Sequence, residues 1–473
     1  MDFLEEIREN WKLDAKTENN ERYFYHTKEV QRITDGKRSY VIGRKGTGKT
    51  AISQFISKIS DAEVFTETLS FKNFPFNELY GLKNDGHTAP NQYITLWKYI
   101  IYSHTCKMMA RNENITSEIQ LQLKKLYAPE PTSSLQRWIK KWTAHDFSLN
   151  VLGTGAKVAF KETTSNDSWI EKVDALEEVI ATYIDQAKYY IIFDELDEDF
   201  KNILDSKQHE NYTHLLTGLF KAVQSIKGTF NDERFRIFPV IFLRDDIYDI
   251  LTDPDKTKWD DFKIDLEWNH SKIKDLIAFR ISRAIDVDTP PLSFHSAWSH
   301  LFSSNTLRAH NSSREGSAFD VMAKCTHMRP RDFIKYIQAC ASSYEGNGRI
   351  PIDRIRSIES NFSSYLKREL TDEIHGIIPE ISAVFDAITQ VRKQTFSYKD
   401  FQGAFEKKVE DGAITRTKDV NFVLKVLFIF NVIGNQPRQK NQTVFRYLTG
   451  DAEVNLQENF VVHRGLLKAL KIL

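Results

Sequence analysis

Two groups of residues in this chain have the types and spacing to do chemistry on a phosphate ester. The first is Gly43-Arg44-Lys45-Gly46-Thr47-Gly48-Lys49-Thr50, which fits G-x-x-x-x-G-K-[ST]. Gly43, Gly46 and Gly48 permit backbone conformations that a Cβ forbids, so successive N–H groups can point at one phosphate. Lys49 brings a point charge to the β- and γ-phosphates of a nucleotide, and the Thr50 hydroxyl can ligate Mg2+. Arg44, Lys45 and Thr47 complete the loop, and Ala51 continues into a helix whose N-terminal end adds partial positive charge. The second group is Asp194-Glu195, which ends the apolar run Tyr189-Tyr190-Ile191-Ile192-Phe193. Such a run suits a strand buried on both faces of a parallel sheet, and it delivers its acids to the carboxyl end where ligands bind. Asp194 is then the Mg2+ carboxylate, acting through water, and Glu195 the group that orients or deprotonates an attacking water. Asp197, Glu198 and Asp199 read as a solvated acidic loop. The chemistry predicted is Mg2+-dependent ATP binding and hydrolysis.

The elements that must position these groups are legible as well. Arg38–Ile42 is a short strand before the glycine turn, and a helix follows over Ala51–Ile59. Val64–Phe71 alternates like a second strand, and Gln92–Arg111 carries apolar residues at helical spacing. Phe235–Leu243 is a further apolar run ending in Arg244, and Phe262–Trp268 completes a fifth strand. Arg244 is placed to detect a terminal phosphate; its other reading is an ion pair with Asp245 or Asp246. The fold class expected is α/β, a P-loop NTPase with a parallel sheet core, a helical lid and a C-terminal winged-helix domain.

At 473 residues, two or three domains are expected. The organisation read from the sequence is an N-terminal helical segment over 1–36, a nucleotide-binding core over 37–270, a helical lid over 271–380 and a winged-helix-like unit over 381–473. Two short helices are expected around Glu21–His26, with Phe24 or Tyr25 either in the core or against a base. An insertion is expected at about 115–165. It includes Leu135–Trp142, where Arg137, Lys140 and Lys141 lie beside Trp138 and Trp142, and a hairpin around Gly153-Thr154-Gly155. That basic, aromatic stretch reads as a half-buried helix or as a nucleic-acid or partner surface. Ser303–Ser317 reads as a mobile polar loop. In the last unit, helices over Phe396–Glu410 and Asp419–Phe430 precede Val432–Asn435, a turn, and a strand at Thr443–Leu448. Arg438, Lys440 and Arg446 give its wing basic character, so nucleic-acid contact through the wing is one expectation. The very apolar helix Val420–Phe430 points instead to protein packing.

Basic and acidic residues balance at 65 each, so no global field recruits nucleic acid or an anionic membrane. Three scattered cysteines, Cys106, Cys325 and Cys340, argue against a disulfide framework and for a reducing, cytoplasmic setting. No apolar run approaches ~20 residues, so no membrane span is expected.

The order of Gly43–Thr50, Ile191–Glu195, the strand ending in Arg244, Met328-Arg329-Pro330-Arg331-Asp332 and a terminal winged helix resembles AAA+ and STAND-type bacterial P-loop ATPases. The start and the ending Val461-Val462-His463-Arg464-Gly465-Leu466-Leu467 also resemble a poorly characterised defence-associated prokaryotic family. The resemblance implies Lys49 and Thr50 as phosphate and Mg2+ ligands, Asp194 and Glu195 as metal and water residues, and Arg244 as the arginine ending the fourth strand. It also implies Arg331 as the lid arginine, with Arg329 beside it. An arginine finger is expected before the fifth strand in such rings, yet the chain reads Lys258-Trp259-Asp260-Asp261-Phe262 there. Slow turnover and a nucleotide-dependent switch or assembly module, with a protein partner or self-association, fit that departure, plausible settings including antiphage defence. The competing readings are a DNA-binding initiator or loader and a scaffold with structural nucleotide.

Overall fold

A computed structural model describes residues 3–72, 79–80, 91–127, 169–197, 206–288, 290–308, 315–415, 419–437, 442–450 and 452–472. Leu135–Trp142, the hairpin around 153–155, Glu198, Asp199, Arg438 and Lys440 lie outside them. The chain divides into two compact units, His26–Lys45 with Lys49–Leu266, and Met1–Tyr25 with Gly46–Gly48 and Glu267–Leu473.

In the first of these, five apolar segments pair into one sheet: β1 (Tyr40–Ile42), β2 (Val64–Ser70), β3 (Lys188–Asp194), β4 (Ile237–Leu243) and β5 (Lys263–Asp265). Their order is β2-β3-β4-β1-β5, and every pairing is parallel. β3 and β4 have neighbours on both sides, and Tyr189–Phe193 and Val240–Leu243 are buried accordingly. Chain order reverses around β1, with β4 on one side and β5 on the other, which opens a crevice at the carboxyl ends there. Aromatic residues fill much of this unit. Tyr40, Phe220 and Trp259 pack with ring centroids 4.6 to 6.5 Å apart, and Trp97 Nε1 donates to Leu215 O at 2.8 Å. On β2, Glu67 accepts from Lys107 at 3.0 Å and Arg111 at 2.8 Å, with His104 at 3.6 Å. Burial alone would raise this carboxyl, but His104, Lys107 and Arg111 outweigh it and hold Glu67 at about 2.

The other unit is mainly helical. Three short helices, not two, occupy the start of the chain: Phe3–Asn10, Asn20–Tyr23 and, in the sheet-bearing unit, Lys28–Thr34. Phe3–Asn10 packs on His270–Ile285 and Pro330–Ser342, whose end is capped by Arg8 donating to Ala341 O (2.9 Å) and Tyr344 O (2.6 Å). Arg280 pairs with Glu18 and lies over the Trp11 and Tyr23 rings at 4.8 and 4.9 Å. Tyr23 and Phe24 are buried, and Tyr25 rests on Phe279 at 5.5 Å.

Two expectations change here. Within Ser303–Ser317 the chain forms an antiparallel hairpin, β6 (Thr306–Arg308) with β7 (Glu315–Ser317), because Leu307 is buried and Thr306 Oγ1 donates to Glu315 at 2.8 Å. In the last unit, the helices Ile381–Val391, Tyr398–Glu410 and Val420–Ile429 accompany β8 (Thr395–Phe396), β9 (Ile433–Gln436) and β10 (Asn459–Val462). These strands make an antiparallel sheet in the order β8-β10-β9. The partner of β9 is therefore Asn459–Val462, and Thr443–Leu448 contributes only a bridge from Val444 to Asn435. Phe460, Val461 and Val462 are all buried, whereas Leu448 is exposed, so burial selects the later segment. Among the described residues no helix is long and apolar enough to cross a membrane.

Candidate phosphate- and metal-binding site

The loop leaves β1 at Gly43, whose N–H donates to Leu243 O (3.2 Å) and continues the pairing with β4. Left-handed backbone occurs at Gly46 (φ 84°) and Gly48 (φ 103°), so the conformational demand falls on these two glycines and not on Gly43. A Cβ on Gly46 would also meet Arg331 Cβ at 3.2 Å. Gly46 O accepts from Arg331 N at 3.4 Å, and Thr47 O accepts from Trp268 Nε1 at 2.9 Å. The helix Lys49–Ser57 begins at the last residues of the motif, with Thr50 and Ala51 half-buried in its first turn.

Lys49 Nζ folds back onto its own loop, donating to Gly43 O (2.5 Å) and Arg44 O (3.0 Å). Burial lowers the pKa of this ammonium, while Asp197, Asp245 and Asp194 oppose the shift. At the end of β3, Asp194 is buried and its Oδ1 accepts from Glu195 N at 2.9 Å. Burial raises the Asp194 pKa; the Glu195 N–H, Ser53 and Lys49 act against that rise. Glu195 has φ 61°, a left-handed conformation that is strained for any residue with a Cβ. Its Oε2 accepts a hydrogen bond from Ser70 Oγ, at the end of the adjacent β2. Ser70 and Asp194 are paired across the two strands, which brings that hydroxyl to the acidic end of β3.

Arg244 makes a bidentate pair with Asp246 (2.9 and 2.5 Å) and a further contact with Asp197 at 3.6 Å. Of its two sequence readings, the ion pair with Asp246 is the arrangement present. Arg331 pairs with Glu369 at 3.4 Å and stays partly exposed. Arg329, its neighbour, is buried between Asp332 (2.9 Å) and Glu373 (3.0 Å), a structural ion triad closed to ligand. In Lys258–Phe262, Trp259 is fully buried and Lys258 pairs with Asp255 at 2.6 Å.

Lys49, Thr50, Asp194, Glu195 and Arg244 thus belong to one compact unit, and Arg331 belongs to the other. Thr50 and Asp194 offer hard oxygen donors, which suits Mg2+. Among the described residues no cluster of three or more His, Cys, Asp and Glu could hold a metal ion alone, so such an ion would share phosphate oxygens and water. Ser53 Oγ, on the same helix as Thr50, is buried without a hydrogen bond of good geometry among the described residues. Sequence reading missed Ser70 and Ser53, whereas it named Asp246 as one of two possible partners of Arg244. Ser53 alone carried a local signal, lying three residues after Thr50 on the same helix face.

A parallel sheet with the glycine loop after β1, paired acids after β3 and β4 interposed between them makes this a P-loop NTPase fold, joined to a largely helical C-terminal region. A family model described as the FunZ-associated C-terminal helical domain matches residues 271–371. A comparison with curated proteins finds no match. Among solved structures, the chain is similar to Orc1 of Aeropyrum pernix in complex with DNA, at 10% identity and TM-score 0.39, covering 94% of this chain and 91% of that one. It is also similar to Cdc6p of Pyrobaculum aerophilum, at 12% identity and TM-score 0.34, covering 96% of each chain. The third is Drosophila ORC bound to DNA, at 11% identity and TM-score 0.27, covering 99% of this chain and 91% of that one. At these scores the fold class rests on the chain's own sheet order and loop.

Proposed function

We propose that this chain binds ATP with Mg2+ and hydrolyses it slowly, as a nucleotide-dependent switch or assembly module. The observation that carries the reading is the meeting, in one unit, of the Lys49–Thr50 loop with Asp194 and Glu195 across an interposed strand. In this reading Lys49 Nζ exchanges the Gly43 and Arg44 carbonyls for phosphate oxygens. Mg2+ supplies charge neutralisation on the phosphates, with Thr50 and Asp194 as the residues that hold it. Glu195 leaves Ser70 to orient the attacking water, and Arg244 leaves Asp246 to meet the terminal phosphate. Arg331 is the second arginine of the proposal. Slow turnover follows from Lys258–Phe262, where the buried tryptophan and a paired lysine offer no arginine. The antiphage setting is carried by the family resemblance alone. The test is Mg2+-dependent ATP hydrolysis by wild type, Lys49→Ala and Glu195→Gln. Wild-type turnover lost in both variants supports the proposal, and equal background rates in all three overturn it.

A second reading, a DNA-binding initiator or loader, is favoured by residues 381–472. Helix, strand, two helices and two strands closing an antiparallel sheet is winged-helix order, and Arg446 sits half-buried in the segment between β9 and β10. This reading expects retention on duplex DNA at low salt that falls steeply as salt rises and weakens in Arg446→Ala. No retention at low salt removes it.

A further inference from the structure

Two carbonyls of the glycine loop are held from outside the loop. Gly46 O accepts from Arg331 N at 3.4 Å, and Thr47 O accepts from the Trp268 indole Nε1 at 2.9 Å. Arg331 N belongs to the first turn of Pro330–Ser342, where N–H groups have no partner within their own helix. Trp268 directly precedes Asn269, whose side chain caps the helix His270–Ile285 by accepting from Lys272 N at 3.0 Å. The indole is half-buried and Thr47 is buried. Gly46, Thr47, Gly48, Trp268 and Arg331 all belong to one compact unit. In a planar trans peptide the C=O and the following N–H point in opposite directions. A Thr47 carbonyl held on the indole therefore turns the Gly48 N–H away from Trp268. Gly48, at φ 103°, is the residue type that accepts either sign of φ, so the loop's own covalent geometry restrains this peptide plane little. The shorter of the two outside bonds thus fixes the plane where the loop is softest.

We propose that Trp268 is a positioning residue of the phosphate loop: its indole N–H, by holding the Thr47 carbonyl, sets the direction in which the Gly48 N–H is presented to a nucleotide phosphate. The inference rests on the proposed ATP-binding reading and adds to it a residue from outside the motif. Trp268 acts through the Thr47 carbonyl, not on the phosphate. Without the indole the Thr47–Gly48 peptide spreads over several orientations, and apparent affinity falls with the fraction that is competent to bind. One hydrogen bond shifts such a distribution by about 3- to 10-fold.

The test compares full-length wild type with Trp268→Phe, which removes the indole N–H and keeps an aromatic ring. Both are titrated with a fluorescent ATP analogue in EDTA, and their unfolding midpoints are measured without nucleotide. The proposal expects analogue affinity to fall about 3- to 10-fold while the midpoint stays near wild type. A second measurement is independent of how well the variant folds. In wild type labelled with 15N at the indole of its eight tryptophans, the cross-peak missing from Trp268→Phe belongs to Trp268. That peak is expected to move on saturation with a non-hydrolysable ATP analogue and to stay in place with adenosine, a response that a purely structural tryptophan would not give. Affinity within about twofold of wild type overturns the proposal, as does a Trp268 peak that ignores the analogue or moves equally with adenosine. Wild type that binds no analogue overturns the ATP-binding reading itself, and the role of Trp268 with it.

Discussion

Glu195 combines a chemical assignment with a backbone cost, and the two can be separated experimentally. Its φ of 61° places a residue with a Cβ in the left-handed region. For L-residues that region costs roughly 1–2 kcal/mol, whereas glycine occupies it freely at an entropic cost of roughly 0.5–1 kcal/mol. Glu195→Ala and Glu195→Gly both delete the carboxylate and the hydrogen bond from Ser70, so those losses cancel when the two variants are compared. What remains is the left-handed penalty less the glycine entropy, about 0.5–1 kcal/mol in favour of glycine. At an ordinary helix or strand position the sign is opposite, with glycine roughly 0.5–1 kcal/mol below alanine. In a unit of this size, about 1 kcal/mol moves the melting midpoint by about 2–4 °C. Differential scanning fluorimetry without nucleotide should therefore show Glu195→Gly melting a degree or more above Glu195→Ala, while neither variant hydrolyses ATP. A glycine variant that melts below the alanine variant refutes the strained-backbone argument, whatever the two do to activity.

Lys49→Ala should abolish the thermal stabilisation that Mg2+-ATP gives wild type, since it removes the ammonium assigned to the β- and γ-phosphates; a midpoint that still rises with nucleotide counts against the loop as the phosphate site. Gly36 has φ 72°, and a Cβ there would lie 2.1 Å from Phe238 Cε1, so Gly36→Ala should cost about 2–4 kcal/mol in denaturant unfolding. Glu67, held at about 2 against an ordinary value of 4.5, contributes stability that is complete above about pH 5 and is lost as pH falls towards 2. The shift corresponds to about 3 kcal/mol, and Glu67→Gln should flatten that limb of a pH–stability curve; an unchanged acid limb shows that the Lys107 and Arg111 contacts are not made in solution.

Legibility followed the range of the interactions involved. Gly43–Thr50 and Tyr189–Glu195 are contiguous and each carries its own local pattern, so strand, loop, helix and acidic end were readable from single windows. The contacts of the site's charged groups were less so. Ser70 reaches Glu195 across a gap of 125 residues because β2 and β3 pair in register, and strand register is invisible without knowing which strands pair. Arg244 is an intermediate case: its partner Asp246 is two residues away, and the sequence offers both an ion pair and a phosphate for the guanidinium. Thr443–Leu448 reads as a strand because it follows the polar turn after Val432–Asn435, yet Asn459–Val462 buries three consecutive apolar residues and takes the pairing with β9. The N-terminal 25 residues join the mainly helical unit through Arg8, Glu18 and Trp11, contacts more than 200 residues apart in the chain that no local pattern announces.

The charged groups assigned to nucleotide chemistry share one property: each already has a partner inside the protein. Lys49 holds two loop carbonyls, Glu195 holds Ser70, and Arg244 holds Asp246 and Asp197. Under the proposed function, none of them simply gains an interaction when ATP binds. Each exchanges one hydrogen bond or ion pair for another, and the free energy of binding is the difference between the two sets. A ligand shifts a conformational equilibrium only by its differential affinity for the two states. Arg244 is the most consequential case, because a bidentate carboxylate is a close chemical mimic of what a terminal phosphate offers a guanidinium. Under the proposed function ATP competes with Asp246 for that arginine, whereas ADP brings no terminal phosphate to do so. Small energetic differences at Arg244 would then separate the ATP and ADP states, which is the behaviour of a switch.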